Sequence, residues 1–254
     1  MSSYLFKKAI LPVLAIVAIS FCGSIASAAA DPAAKNLSKS DVEQIIHDYL
    51  LNNPELILNS VDDYQKKSAR STQGAALEKN KDTLFKDSDS PEVGNPKGDV
   101  TVVEFMDYNC HYCKLSMPIV LSLLEKDKNI RVVFKDFPIL GPTSETAAKW
   151  ALAAKKQKKY FEFHKLLMNN KTPISDGLLE KIAKSLEMNL EQAKKDADGT
   201  ETLLQIEKNR TLASSLGLSG TPAFIIGDDV SFGALSLEEM EKKISEERGK
   251  KDKK

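Results

Sequence analysis

Val100-Thr101-Val102-Val103-Glu104-Phe105-Met106-Asp107-Tyr108-Asn109-Cys110-His111-Tyr112-Cys113-Lys114-Leu115 decides the fold. Its first seven residues form an apolar run with one acid inside, the pattern of a buried strand. A turn carries the Cys-x-x-Cys sequence, and a helical stretch follows through Leu124. Two cysteines three residues apart at a helix start place both sulfurs on one side, close enough to bond. The first sits where unpaired backbone N–H groups and the positive end of the helix dipole favour a thiolate. Such dipole terms reach roughly 2 kcal/mol, or about 1.5 pKa units.

The chain has 254 residues, with 36 basic and 36 acidic side chains and 42% hydrophobic content. That is the make-up of a soluble globular protein of one domain plus an appendage. The charge balance leaves no basic footprint for nucleic acid, so none is expected as a partner.

Residues 1–30 read as a secretory signal peptide. Lys7 and Lys8 supply the positive n-region, Ala9 to Phe21 the apolar core, and Ala26-Ser27-Ala28 or Ala28-Ala29-Ala30 the cleavage site. Lipidation at Cys22 is disfavoured by the bulk of Phe21, and an uncleaved anchor by the Ala-rich exit. The expected mature protein is therefore exported and soluble, with Cys110 and Cys113 as its only cysteines. A structural disulfide closing so short a loop removes little chain entropy. A zinc site would need two further ligands that no second CxxC or His cluster supplies. The strand–turn–helix setting favours redox exchange over both.

The mature chain has two parts. Residues 31–86 read as a helical segment: a capping box at Ser40-Asp41-Val42-Glu43 opens a helix through Leu51, with Val42, Ile45, Ile46, Tyr49 and Leu50 on one face. Asn53-Pro54 starts a second helix carrying Leu56, Ile57, Val61 and Tyr64 and continuing toward Leu84-Phe85. Their apolar stripe packs either on its own domain or on a copy from another chain. Residues 87–98, rich in proline and glycine, read as a linker. From residue 99 to 254 the pattern is β-α-β, a helical insertion over about 143–216, then β-β-α, with strands at Ile130–Pro138, Gly220–Gly227 and Val230–Phe232. Ser236 to Glu239 caps the last helix. Trp150, Tyr160, Phe161 and Phe163 belong to the insertion core, while His47 and His164 read as surface or core-edge histidines.

From Val100 to Ser245 the chain resembles the DsbA family, a thioredoxin fold (α/β) with an inserted helical domain. The resemblance rests on the strand into CxxC, the insertion, and Gly220-Thr221-Pro222 at a strand start. The stretch Gln44 to Glu55 is similar to the oligomerisation stalk of a DsbA-like subgroup that includes ScsC proteins, dimeric DsbA-like oxidase-isomerases and Com-type antigens. The resemblance implies a homo-oligomer, dimer or trimer, formed through residues about 40–85. It also implies a periplasmic location, with outer-membrane association in the antigens.

That resemblance implies roles. Cys110 is the expected nucleophile and Cys113 the resolving thiol, joined as a disulfide in the oxidised form. His111, if protonated, would steady the thiolate, with Tyr112 beside it; alternatively His111 is an exposed ring without effect. Glu104, six residues before Cys110, is expected beneath Cys113 as a proton acceptor. The alternative is an exposed acid, or one paired with Lys135 on the neighbouring strand. Thr221-Pro222 matches the family's cis-proline loop, which offers backbone hydrogen bonds to an extended client chain. No cofactor is implied.

The sequence departs from the DsbA oxidase. The dipeptide between the cysteines is His-Tyr rather than Pro-His, and threonine rather than valine precedes the proline. Both features look more like the isomerase DsbC. Oxidation and isomerisation of exported proteins are therefore both expected, with unfolded or misoxidised clients and a membrane redox partner of the DsbB or DsbD type. The other class of reading is an exported antigen or copper-handling protein whose thiols hold soft metal.

Overall fold

Alternate residues of β2 (Val100–Met106) face opposite sides of a central sheet. Val100, Val102 and Met106 enter one core, and Val103 and Phe105 another. Helices cover both faces, so the strand reads as a nearly continuous apolar run rather than an alternating one. The structure is a computed structural model and describes residues 37–251. The expected signal peptide over residues 1–30, with Cys22, lies outside the described residues.

The sheet order is β1-β3-β2-β4-β5. β2 leads through α4 (His111–Lys126) into its parallel neighbour β3 (Ile130–Asp136), which makes the βα-β unit. β4 (Ala223–Ile226) returns antiparallel to β2, and β5 (Asp229–Phe232) closes a hairpin on it. Between β3 and β4 the chain builds α5 (Pro142–Lys156), α6 (Tyr160–Met168), α7 (Asp176–Ser185), α8 (Leu190–Ala197) and α9 (Thr200–Ser215). The stretch from Leu190 to Leu216 is thus two helices, broken where Gly199 caps α9 and the Thr202 hydroxyl donates to the Asp196 carbonyl. Met117, Val120 and Leu123 of α4 share one core with Met240 and Ile244 of α10 (Leu237–Lys251). Leu212 and Leu216 share the other with Leu77 and Leu84. This is the DsbA-like thioredoxin fold with its inserted helices.

Residues 87–98 are not a free linker. They hold β1 (Glu92–Gly94), antiparallel to β3. Gly94 ends it at φ +87, where a Cβ would stand 2.6 Å from the Ile130 carbonyl oxygen. The Asp87 side chain is only 3% exposed and accepts from Lys135 Nζ at 3.0 Å and Lys208 Nζ at 2.6 Å. Burial works against its ionisation, but the bonds from Lys208, Gln205 and Lys135 outweigh this and hold its carboxyl well below the usual range. Two prolines and two glycines read locally as a loop. What fixes the segment is a buried ammonium 48 residues away that needs a carboxylate.

The chain divides between Asn59 and Ser60 rather than near residue 86. In the first unit, α1 (Lys39–Asn52) starts two residues earlier than the sequence indicates. Ser38, not Ser40, is the cap, with Asp41 completing the box. Ser38/Asp41 and Ser40/Glu43 are overlapping boxes of equal local chemistry, and the earlier one adds helix. α1 buries none of its residues; Val42, Ile45, Ile46 and Tyr49 are all exposed. α2 begins at Pro54 as expected and runs to Lys79, and α3 (Lys81–Phe85) follows. Among the described residues no helix is long and apolar enough to cross a membrane.

Candidate active site

Cys110 is the N-cap of α4, with extended backbone, and its Sγ accepts the Cys113 N–H at 3.4 Å. Sulfur here takes the place of the usual capping oxygen. The two cysteines are free, so this is the reduced form; the expected Cys110–Cys113 disulfide is not made in it. Both sulfur-bearing residues are buried, Cys113 at 1% exposure more completely than Cys110 at 7%.

The Thr221–Pro222 bond is cis, at the start of β4. It presents the Thr221 carbonyl 3.2 Å from Cys110 Sγ. The Cys110 thiol is lowered to about 5, first by the hydrogen bond from the Cys113 thiol, against burial, and then by the Thr221 side chain and the backbone N–H groups of Cys113 and Tyr112. Burial pushes the Cys113 thiol far up, and the bond to Cys110 and the charge of Glu104 add to this. The pair is electrostatically asymmetric: near neutral pH one sulfur is a thiolate and the other holds its proton.

Glu104 is 3% exposed, on the sheet face it shares with Val102 and Met106. Burial, then the charge of Cys110, pushes its carboxyl up to about 8. Lys135 does not pair with it. Lys135 stands opposite Phe105 in the register, on the other face of the sheet, and donates to Asp87, Ser90 and Thr83. A buried acid without a cation beside the higher thiol suits proton exchange near neutral pH.

The structure brings together Cys110, Cys113, Glu104, Thr221 and Pro222. His111 and Tyr112 differ: both side chains are exposed, their rings edge to face at 5.7 Å. The leading groups that lower the Cys110 thiol do not include the His111 ring; Tyr112 contributes through its backbone N–H.

Sequence reasoning missed the residues that hold the loop. Asp107 Oδ1 accepts the Asn109 N–H and the Ser144 hydroxyl, each at 2.7 Å, and Oδ2 accepts the Ile139 and Leu140 N–H groups at 2.8 and 2.9 Å. Asn109 Nδ2 donates to Thr143 and Ser144. The Asp-x-Asn spacing just before Cys110 was the available signal for such a turn. Buried His164, bonded to the Tyr108 hydroxyl at 3.0 Å, is a core residue rather than a surface or core-edge one.

A parallel βα-β core, a CxxC at the helix start and a cis-proline opposite define the class of thioredoxin-fold dithiol proteins. Within that class the chain belongs to the DSBA-like thioredoxin domain family, which it matches over residues 101–245; residues 39–70 match the copper resistance protein ScsC N-terminal domain. Members of this family are thiol–disulfide oxidoreductases.

The chain is 39% identical to a thioredoxin-like oxidoreductase from Silicibacter pomeroyi, with a TM-score of 0.65 over 67% of this chain and 98% of that one. A linker-deletion mutant of Proteus mirabilis ScsC aligns at 27% identity and TM-score 0.67, covering 86% of this chain and 100% of that one. Disulfide bond formation protein D from Bacillus subtilis is 27% identical over 169 residues, 62% of this chain and 76% of that protein. The match to a Na(+)/H(+) antiporter NhaA of Salinispora arenicola is 29% identical over 157 residues, and spans 24% of that protein.

Proposed function

We propose that this chain is an exported thiol–disulfide oxidoreductase that forms and isomerises disulfides in other exported proteins. The observation that carries the reading is the opposite displacement of the two thiols, Cys110 down to about 5 and Cys113 up. In isomerisation the Cys110 thiolate attacks a client disulfide, forms a mixed disulfide and releases one client sulfur as thiolate. A client thiolate then attacks the mixed bond, a new client disulfide forms, and Cys110 leaves as thiolate. Alternatively Cys113 gives its proton to Glu104 and attacks Cys110. The Cys110–Cys113 bond forms, the bond to the client breaks, and the client leaves reduced. Oxidation of clients is the reverse of this sequence and starts from the disulfide.

Tyr112, Leu115, Ile139 and Leu140 are exposed apolar residues on α4 and on the loop tied to Asp107, and suit unfolded client segments. The signal-like residues 1–30 and the need for an oxidising compartment support a periplasmic location. A membrane partner of the DsbB or DsbD type would set the redox state. The exposed apolar residues of α1 and α2 support self-association into a dimer or trimer, which places several sites over one client.

The test is refolding of a scrambled multi-disulfide substrate by the purified protein and by Cys110→Ala. Turnover lost only in the variant supports the reading, and equal rates end it.

A further inference from the structure

Pro138-Ile139-Leu140-Gly141-Pro142 forms a short lip between β3 and α5, with a proline at each end. Proline has no N–H to donate, which leaves the segment three backbone donors. Those of Ile139 and Leu140 both end on Asp107 Oδ2, at 2.8 and 2.9 Å. Just before the lip the Phe137 N–H donates to the Met106 carbonyl at 2.8 Å, and Gly141, at φ +115, turns the chain into α5. The lip backbone is thus fixed while its side chains stay open to solvent, Ile139 at 38% exposure and Leu140 at 52%.

The same residue holds the nucleophile. The Asp107 carbonyl accepts the Cys110 N–H at 3.1 Å. The other carboxylate oxygen, Oδ1, accepts the Asn109 N–H and the Ser144 hydroxyl. Ser144 in turn accepts from Asn109 Nδ2 at 2.9 Å, closing a ring between the CxxC turn and the first turn of α5. Asp107 is 1% exposed, and these bonds offset the cost of burying its carboxylate. One oxygen serves the lip and the other the turn. A group divided in this way fixes the spacing between two elements rather than the shape of either.

Apolar side chains on a fixed backbone are a preorganised contact, because little further ordering is needed when a partner arrives. We infer that Asp107 is a positioning residue that sets the lip of Ile139 and Leu140 at a fixed spacing from Cys110, so that an extended apolar client segment lying on the lip brings its own cysteine to the Cys110 sulfur. The inference rests on the redox reading above and adds a preference to it: unfolded protein chains over small thiols, which have nothing to lay on the lip.

The test follows reduction of the Cys110–Cys113 disulfide of the full-length protein by a reduced, unfolded protein and by glutathione, which carries no apolar side chain beside its cysteine. An amide has one acceptor where a carboxylate has two, so Asp107→Asn frees either the lip or the turn whichever way it lies. Its rate constant with the unfolded protein should fall about tenfold further than its rate constant with glutathione, the order expected when ordered contact side chains are set loose. The fall should lie in the half-saturating client concentration rather than in the limiting rate. Leu140→Ser should slow the unfolded-protein reaction in the wild-type background, yet add less than about twofold in Asp107→Asn, where the lip is already out of register. Ser144→Ala, which removes a bond at Oδ1 and another at Asn109, is crossed with Leu140→Ser in the same way if Asp107→Asn does not fold.

Equal losses with both thiols, together with Leu140→Ser effects that simply add, overturn the inference and leave Asp107 a structural residue. A wild-type protein that exchanges with both thiols and is indifferent to Leu140→Ser overturns it too, with the redox reading intact. A wild-type pair that exchanges with neither thiol defeats that reading and this inference together.

Discussion

The Cys113 N–H points at Cys110 Sγ across 3.4 Å, and the Cys113 thiol donates to the same sulfur. One residue thus supplies the capping bond and the leading stabiliser of the thiolate. Its own thiol is correspondingly hard to ionise. The asymmetry on which exchange depends is built from two side chains and the first turn of one helix.

The Cys110 thiol should titrate at about 5 in the reduced protein, against 9 for an ordinary thiol. Thiolate ultraviolet absorbance followed against pH measures this directly. Cys113→Ala removes the leading hydrogen bond and should move the midpoint upward by a unit or more, on the order of 1.4 kcal/mol per unit. An unchanged midpoint would assign the lowering to the helix start alone.

Cys113→Ala should also trap the mixed disulfide. With no resolving thiol, the bond between Cys110 and a client cysteine persists until an external thiol attacks it. Non-reducing gels of the variant incubated with a reduced client-like protein and mild oxidant should show a covalent adduct that Cys110→Ala lacks. Absence of the adduct in Cys113→Ala would contradict the assignment of Cys110 as nucleophile.

Glu104→Gln should slow resolution while stabilising the reduced fold at neutral and alkaline pH. The folded carboxyl titrates at about 8 against 4.5 in the unfolded chain, so between these values the native state binds more protons than the unfolded one. Wild-type stability therefore falls as pH rises through that window and levels off above it. The variant lacks this loss. Its advantage should be absent below about pH 4 and grow to roughly 3–5 kcal/mol near pH 8, less any cost of burying the amide. Urea unfolding at several pH values checks the sign. An advantage that shrinks with rising pH would mean that Glu104 is ionised and paired in the fold.

Much of this site was legible in the sequence because its residues cluster around one strand end. The apolar run up to Met106 announced β2 and the turn to Cys110, and Gly-Thr-Pro marked the facing strand start. Sequence left the face of Glu104 open, since a strand buried on both sides shows no alternation. Pleat parity with Val102 and Met106 decides it, and the register with β3 turns Lys135 to the other side. His164 was readable in principle: Tyr160, Phe163, His164 and Leu167 follow the i, i+3, i+4, i+7 spacing of a buried helix face. Asp87 was not readable, because its partners Lys135 and Lys208 are far away in sequence and its neighbours are turn formers.

Asp87→Ala should be among the most destabilising single changes outside the site. It leaves the Lys135 ammonium, with no exposed side-chain surface, hydrogen-bonded to the Ser90 hydroxyl and the Thr83 carbonyl without its paired carboxylate. Removing one member of a buried pair costs about 3–5 kcal/mol. Denaturant midpoints of the variant report this, and a loss below about 1 kcal/mol would show that the pair is solvated like a surface bridge.

The last prediction concerns the exposed stripe of α1. Ile45 and Ile46 are 55% and 52% exposed, and Tyr49 58%, on a helix with no buried residue. Apolar side chains so placed are stabilised by a matching stripe from another copy. Ile45→Glu with Ile46→Glu sets like charges against each other across any such seam and should reduce the mass seen in sedimentation to that of one chain. The redox couple, which lies in the other unit, should keep its equilibrium with glutathione. Rearrangement of a client with several wrong disulfides should fall about tenfold or more, because the second site no longer sits at high effective concentration over the same client. A wild-type protein that already sediments as one chain, or a variant that rearranges such clients as fast as wild type, would break the link between self-association and isomerisation.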